Sequence, residues 1–293
     1  MLAINKKNNF FGLLVGLSGY ILVVLVDTIV KLNLVEKYPV IQISFFLCIG
    51  AFIPILITLI IFRNWSSLLN KKIHIQLLHG ALGITHSALI INSLKKHSLI
   101  EIYPILFSSP LILIILSYFV LKEKVGIRRC LAVLIGFIGV LIVSRPGTIH
   151  FTIPLFGLFI AAIIHALRVL LIRQSGDTQS SVAFTFYGCV SALIISGFFS
   201  YPNFIIVQKI DLVTLLICGI IAGIAGLFFV RASKTLESSL FAPIQYIQLV
   251  VGFTMGYIFF GDLPDIYEII GSLVIVLSGL FIIYRENQLN SSK

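Results

Sequence analysis

The sequence predicts an all-α membrane protein, ten transmembrane helices built as two inverted five-helix repeats. Three observations predict it. Hydrophobic residues make up 59% of the 293 residues and charged residues 11%, whereas a soluble domain has about 25% charged residues. The apolar residues fall in runs close to the length of about 20 at which a helix crosses the hydrocarbon core. The chain also resembles itself at a shift of 139 residues.

The runs of the first half cover residues 10–30, 40–62, 73–94, 99–121 and 127–144. The first follows Lys6 and Lys7 but is too long for a cleaved signal and no small-x-small site follows it, so it is expected to stay as a membrane helix. The second half repeats the count with 153–172, 181–200, 212–230, 239–260 and 266–284. Connections are short, polar or proline-marked, as in Lys71-Lys72, Lys122-Glu123-Lys124 and Asp262-Leu263-Pro264. The runs lack the period-2 alternation of a barrel, which leaves helices as the spanning structure.

Basic residues favour the cytoplasmic side of a membrane. With the N-terminus inside, fourteen Lys and Arg lie in inner segments. Six, namely Lys31, Lys37, Lys95, Lys96, Arg145 and Lys209, lie in outer ones. Both termini are therefore expected to be cytoplasmic, in a cell (inner) membrane. The net charge of +10 reflects this bias; no basic arm with interleaved aromatics points to nucleic acid.

At the 139-residue shift Lys95 falls on Lys234, Pro104-Ile105 on Pro243-Ile244, Tyr118 on Tyr257 and Glu123 on Asp262. Ile127, Leu134 and Leu141 fall on Ile266, Leu273 and Leu280. Each half, 1–146 and 147–293, has an odd number of spans, so the second copy inserts upside down. Inverted repeats recur in secondary transporters, with the substrate between the halves. The GxxxG pairs Gly12/Gly16, Gly219/Gly223 and Gly252/Gly256 are expected at tight helix contacts. Cys48, Cys130, Cys189 and Cys218 form no CxxC or metal spacing and are expected as small buried hydrophobes.

Ionisable groups inside a span are costly and mark candidate sites. In span three His79, Gly83, His86, Ile90 and Ser93 form one stripe; in span six Gly157, Ala161, His165 and Arg168 do; in span nine Ser238, Gln245, Gln248 and Gly252 do. His79 is expected to be solvated at the inner interface. Arg168 has two readings, snorkelling or function. Asp27 either pairs with Lys31 at i+4 or faces the site. Glu101 either starts a helix, where the dipole favours a carboxylate, or sits at the cavity mouth. Lys122-Glu123-Lys124 and Arg128-Arg129 are expected to anchor the inner surface. The substrate-binding set expected from the sequence is Asp27, His86, Glu101, His165, Arg168, Gln245, Tyr246 and Gln248, with no cofactor and no metal.

Two stretches carry a family resemblance. One runs from Pro104 through the Leu-Lys-Glu-Lys of 121–124 to Gly136-Phe-Ile-Gly-Val-Leu-Ile-Val-Ser-Arg-Pro146. The other runs from Ala242-Pro243-Ile-Gln-Tyr246 through Phe-Phe-Gly-Asp262 to Tyr284-Arg-Glu286. They resemble the EamA-like branch of ten-helix carriers in the drug/metabolite transporter superfamily. That resemblance implies a central cavity lined mainly by spans one, three, four, six, eight and nine. It also implies small amine or carboxylate metabolites as substrates. The second-half pattern and Asp27-xxx-Lys31 look most like S-adenosylmethionine uptake carriers. Lys95-Lys96-His97, His86 and His165 depart from the family's motifs.

The expectation is a secondary carrier for an amino-acid-like or amine-bearing metabolite, with S-adenosylmethionine as one candidate. Its expected partners are the lipid bilayer, a small-molecule substrate and a proton or exchanged solute; it acts as a monomer or homodimer. No GxxxxGK[ST] is present to bind ATP. The rivals are a membrane-embedded enzyme, for which no HExxH, GxSxG or paired-carboxylate motif exists, and a non-transporting membrane subunit.

Overall fold

The computed structural model describes residues 6–63, 65–69, 72–120, 127–145, 152–175, 180–236, 241 and 244–291. The Lys122-Glu123-Lys124 turn, Ser238 and Pro243 lie outside the described residues. The first half contains α1 (Lys6–Asn33), α2 (Val40–Ile61), α3 (Ile73–Leu94), α4 (Leu99–Leu106), α5 (Ser108–Val120) and α6 (Ile127–Ser144). The second contains α7 (Ile153–Gln174), α8 (Ser181–Ser200), α9 (Lys209–Thr235), α10 (Ile247–Phe260) and α11 (Ile266–Ser291). Among the described residues no strand occurs. Helices α1, α2, α3, α7, α8 and α9 are long and apolar enough to cross a membrane. The other apolar stretches, Leu99–Leu113, Leu134–Ser144, Ile247–Phe260 and Ile266–Phe281, are shorter.

Span four, continuous in hydropathy, is broken at Phe107 into α4 and α5. Pro110 lacks an N–H and so leaves Leu106 O without its helical donor. The carbonyls at the break find side-chain donors: Ser108 Oγ donates to Ile105 O at 2.8 Å, and Gln245 Nε2, from the other half, donates to Leu106 O at 3.4 Å. A break inside lipid persists only when neighbouring groups supply such partners.

The second repeat runs opposite to the first. At one end of the bundle, Lys37 meets Asp211 at 3.0 Å, His97 Nε2 meets Thr152 Oγ1 at 2.6 Å, and Arg145 pairs with Asp265. At the other end, Tyr187 donates to Leu68 O at 2.9 Å and Lys234 lies over the Phe184 ring at 5.7 Å. Helix α3 ends near His97, whereas α9, its counterpart by the 139-residue shift, begins near Lys37 at that same end and runs away from it. Lys95 and its counterpart Lys234 thus lie at opposite ends. Contacts between the halves obey the same two-fold relation. Gln245 touches Leu106 and Tyr246 packs its ring against Phe107 at 5.4 Å, so residues 139 apart meet at the axis. Gly139 meets Ile275 as Gly136 meets Ser278, the same pair seen from each half.

Small residues set the closest crossings, as the GxxxG pairs led one to expect. A Cβ on Gly219 would lie 2.6 Å from Leu47 O, and one on Gly80 would strike Gly188 O. These are the α2–α9 and α3–α8 contacts, again related by the repeat. Gly12 and Gly16 hold α1 on Leu236 and Ala232 beside α9, and Gly252 and Gly256 hold α10 on Tyr103 and Ile100 of α4.

Inversion has a direct measurement. Lys96→Cys and Lys234→Cys, each in a chain whose own cysteines are replaced, should react with an impermeant thiol reagent from opposite sides of sealed vesicles. Labelling of both from one side would contradict the fold.

Candidate functional site

A cavity of about 290 Å3 lies between the halves. Helix α1 contributes Gly16, Tyr20, Val23, Asp27 and Val30 to its wall, a 4-3-4-3 stripe that puts one face of the helix on the cavity. Helix α3 contributes His79, Gly80, Gly83, His86 and Ile90, and α7 contributes His165 and Arg168. Tyr103 of α4, Phe229 of α9, Phe241, Gln245 and Gln248 add to the polar and aromatic lining, with Ser44, Ser87 and Thr185.

Its ionic groups are separated along the cavity. Asp27 accepts a hydrogen bond from the Tyr103 hydroxyl at 2.9 Å; no cation pairs with it among the described residues. Lys31, the expected i+4 partner, turns away. Its ammonium donates to Leu94 O at 2.9 Å and His97 O at 2.6 Å, and lies over the Phe260 ring. The carbonyls at and just past the end of α3 win because a helix C-terminus leaves them without partners and attracts a cation. Arg168 does not snorkel to an interface. Its guanidinium lies beside Gly83, where an added Cβ would sit 3.2 Å from Nη2, and 5.8 Å from the centre of the Phe229 ring.

Around Arg168 the wall is made of rings. Tyr20 Oη and His165 Nε2 are 3.4 Å apart. The His86 and His165 rings are 5.3 Å apart, as are those of His165 and Phe229. Phe229 meets Phe241 at 5.6 Å. His79 is not the solvated interfacial histidine expected from the sequence. It is 5% exposed and packs edge-on to Phe184 at 4.9 Å, with neither ring nitrogen hydrogen-bonded among the described residues. The close α3–α8 crossing lies against it: a Cβ on Gly188 would sit 3.2 Å from its Nδ1.

Of the eight residues expected to bind substrate, six line the cavity: Asp27, His86, His165, Arg168, Gln245 and Gln248. Two do not. Glu101 is the third residue of a capping box, accepting from Ser98 N at 3.4 Å while Ser98 Oγ accepts from Glu101 N at 3.2 Å. Its other oxygen meets His97 Nδ1 at 2.8 Å. These bonds at the start of α4 consume the carboxylate and hold it away from the cavity. Tyr246 stands on the pseudo-two-fold axis, its ring against Phe107 and its hydroxyl filling the space over Gly279. Tyr20, Tyr103, Phe229 and Phe241 line the cavity without having been singled out. The 4-3-4-3 register of Tyr20 with Asp27 was the available signal.

The sequence profile of the EamA-like transporter family matches residues 10–145 and again 152–285. The S-adenosylmethionine uptake transporter of Rickettsia prowazekii is 27% identical over 187 residues, 64% of this chain and 64% of that protein. A riboflavin transporter of Vibrio cholerae is 26% identical over 63% of this chain and 62% of its own. Both matches thus span less than two thirds of the relative's length. Solute carrier family 35 member G1 of Mus musculus is 24% identical over 83% of this chain and 71% of its own. A crystal structure superposes with a TM-score of 0.67 at 15% identity, covering 95% of this chain and 98% of that one, a likeness of fold.

Proposed function

Because the chain belongs to the EamA-like transporter family, we propose that it is a secondary carrier moving a small amine-bearing, amino-acid-like metabolite by alternating access. S-adenosylmethionine is the first compound to test. One observation carries this reading: Asp27 faces a cavity between two inverted halves and, among the described residues, has the Tyr103 hydroxyl as its hydrogen-bond partner. A buried carboxylate without a counter-charge is costly, and a substrate ammonium or sulfonium would supply the missing charge. Asp27, His86, His165, Arg168, Gln245 and Gln248 are the proposed contacts. The moving bodies are residues 1–146 and 147–293, and the membrane is the cell (inner) membrane with both termini cytoplasmic.

Alternating access requires a closed side. At the end bearing His97, the halves are joined by Lys37–Asp211, Arg145–Asp265, His97–Thr152 and the paired hydrogen bonds of Gln42 with Ile205, at 2.6 and 2.9 Å. Partial burial pushes the Asp265 carboxyl up. The Arg145 guanidinium and the N–H groups of Tyr267 and Glu268 outweigh that and hold it below the usual carboxylate range. These contacts would part when the cavity opens to the outer side.

The test is uptake into vesicles holding the pure protein, with radiolabelled S-adenosylmethionine, amino acids and riboflavin offered in parallel. Uptake of riboflavin alone would move the assignment to an uncharged flavin-like substrate. Uptake of none would remove the carrier reading.

Coupling is tested on the same vesicles. Histidine titrates near physiological pH, and His165 adjoins both Tyr20 and His86 in the wall. If one of them carries a driving proton, His→Gln should abolish the dependence of uptake on a pH gradient and leave solute exchange largely intact. Gradient-driven uptake that persists in both single variants and in the double variant rules out histidine coupling.

A further inference from the structure

We infer that Cys48 and Cys189 form a redox-active dithiol in the cavity wall, which a two-electron oxidant of the peroxide or azo class closes to a disulfide between α2 and α8.

The pair is distant in sequence and adjacent in space. Helix α2 turns Ser44, Cys48, Ala51 and Ile55 to the cavity, and α8 turns Thr185, Cys189 and Ala192 to it. The 4-3 spacing of each set places its cysteine on the lining face of its helix. The Cys189 thiol donates to Cys48 O at 3.4 Å and lies within hydrogen-bonding reach of the Cys48 thiol. Helix contacts on either side hold this register. A Cβ on Gly197 would lie 3.1 Å from the Phe45 ring, and the Phe52 and Phe186 rings meet edge-on at 5.8 Å. The sequence predicts small buried hydrophobes at the cysteines. Cys218 fits that expectation, whereas Cys48 and Cys189 are partly exposed in the cavity wall.

The chemistry follows from the contact. A disulfide needs Cβ atoms that face each other, a condition that thiols in contact meet. One thiol, deprotonated, attacks a peroxide oxygen; the O–O bond breaks, hydroxide leaves and takes up the proton as water, and the sulfur becomes a sulfenic acid. The second thiol displaces the sulfenic oxygen as a second water and forms the S–S bond. Two thiols have then lost two electrons and two protons to one peroxide. An azo oxidant accepts the same electrons and protons and becomes a hydrazine. Because the second thiol is already in place, the closing step is unimolecular, and that positioning favours it over attack by another oxidant.

The probe is diamide, an azo oxidant, applied to the full chain in detergent. Non-reducing digestion and mass spectrometry should find the Cys48 and Cys189 peptides joined, two hydrogens lighter than their sum. This bridge should form ahead of any through Cys130 or Cys218, and dithiothreitol should release it. Proximity has a check that needs no oxidation. Phenylarsine oxide bridges two neighbouring thiols with loss of one water, so it should block maleimide labelling of both cysteines in the parent. At the same dose the remaining thiol of Cys48→Ala or Cys189→Ala should label about tenfold more, since the chelating second thiol is gone. The dithiol is overturned if fully oxidised parent carries no Cys48–Cys189 bridge or if Cys130 or Cys218 bridges faster. It is likewise overturned if the arsenical blocks each single variant as it blocks the parent. The consequence for uptake rests on the carrier reading: the disulfide joins residues 1–146 to 147–293, so oxidised vesicles should lose uptake and dithiothreitol should restore it. Uptake that continues through a complete bridge would sink the two halves as the moving bodies and leave the dithiol standing.

Discussion

Gly80→Val and Gly219→Val should each abolish recovery of folded protein. At both positions the added side chain meets backbone rather than a movable side-chain tip: Gly188 O in the first case, Leu47 O and the Gly50 Cα in the second. Overpacking a core costs about 1–3 kcal/mol where side chains can shift. Here the two helices must separate, so the expected cost is above that range and comparable to the whole stability of many domains, about 5–15 kcal/mol. Gly226→Ala is the control. Its nearest neighbour would be Thr185 Cγ2 at 3.6 Å, an ordinary contact. Size-exclusion profiles and Tm in detergent decide the matter. Valine variants that elute as the parent does and melt within about 2 °C of it would mean that the α3–α8 and α2–α9 crossings can relax, a range expected for a change well under 1 kcal/mol.

These two glycines also explain why so much of the fold was legible. Gly80 and Gly219 are 139 residues apart in sequence, and each sits where its helix crosses a helix of the other half. An inverted repeat writes every such contact twice, so weak identities in a Leu- and Ile-rich chain gain meaning when they recur at one shift. Hydropathy was less informative about continuity. The run 99–121 reads as one span because apolarity does not register a missing N–H, yet Pro110 and the Ser108 and Gln245 donors divide it at Phe107.

The site was legible in part, for a physical reason. Periodicity tells which residues share a face, and so it brought His86, His165, Arg168, Gln245 and Gln248 to one cavity. It does not tell which local partner a polar group prefers. Glu101 had two readings, helix start and cavity mouth, and the Ser98 N–H and His97, within three or four residues, claim it for the helix start. Lys31 looked like the partner of Asp27, but the α3 carbonyls, distant in sequence, hold it. His79 was misread in the opposite sense: depth along α3 placed it near an interface, yet its ring is buried against Phe184 and Gly188.

Asp27→Asn should weaken uptake of an amine-bearing substrate by at least about tenfold while the protein folds normally. The substitution keeps an oxygen to accept from Tyr103 Oη, so local packing and the α1–α4 bond at 2.9 Å can survive; the charge alone is lost. Truncating one member of a buried, hydrogen-bonded charge pair costs about 2–5 kcal/mol. The loss here is expected at the lower end, because Asp27 is partly open to the cavity. The structural alternative, in which Asp27 serves only to hold Lys31, does not survive the geometry, since that ammonium is bound elsewhere. What remains is a choice between a carboxylate that binds substrate and one that merely orients Tyr103. A second variant, Tyr103→Phe, separates them. If Asp27 binds substrate directly, Asp27→Asn should erase discrimination between an amine-bearing solute and its deaminated analogue, whereas Tyr103→Phe should lower uptake of both alike. If Asp27→Asn instead transports every analogue as the parent does, no cation is recognised at Asp27. An uncharged substrate held by Gln245 and Gln248, both buried and both on the cavity wall, then becomes the reading to pursue.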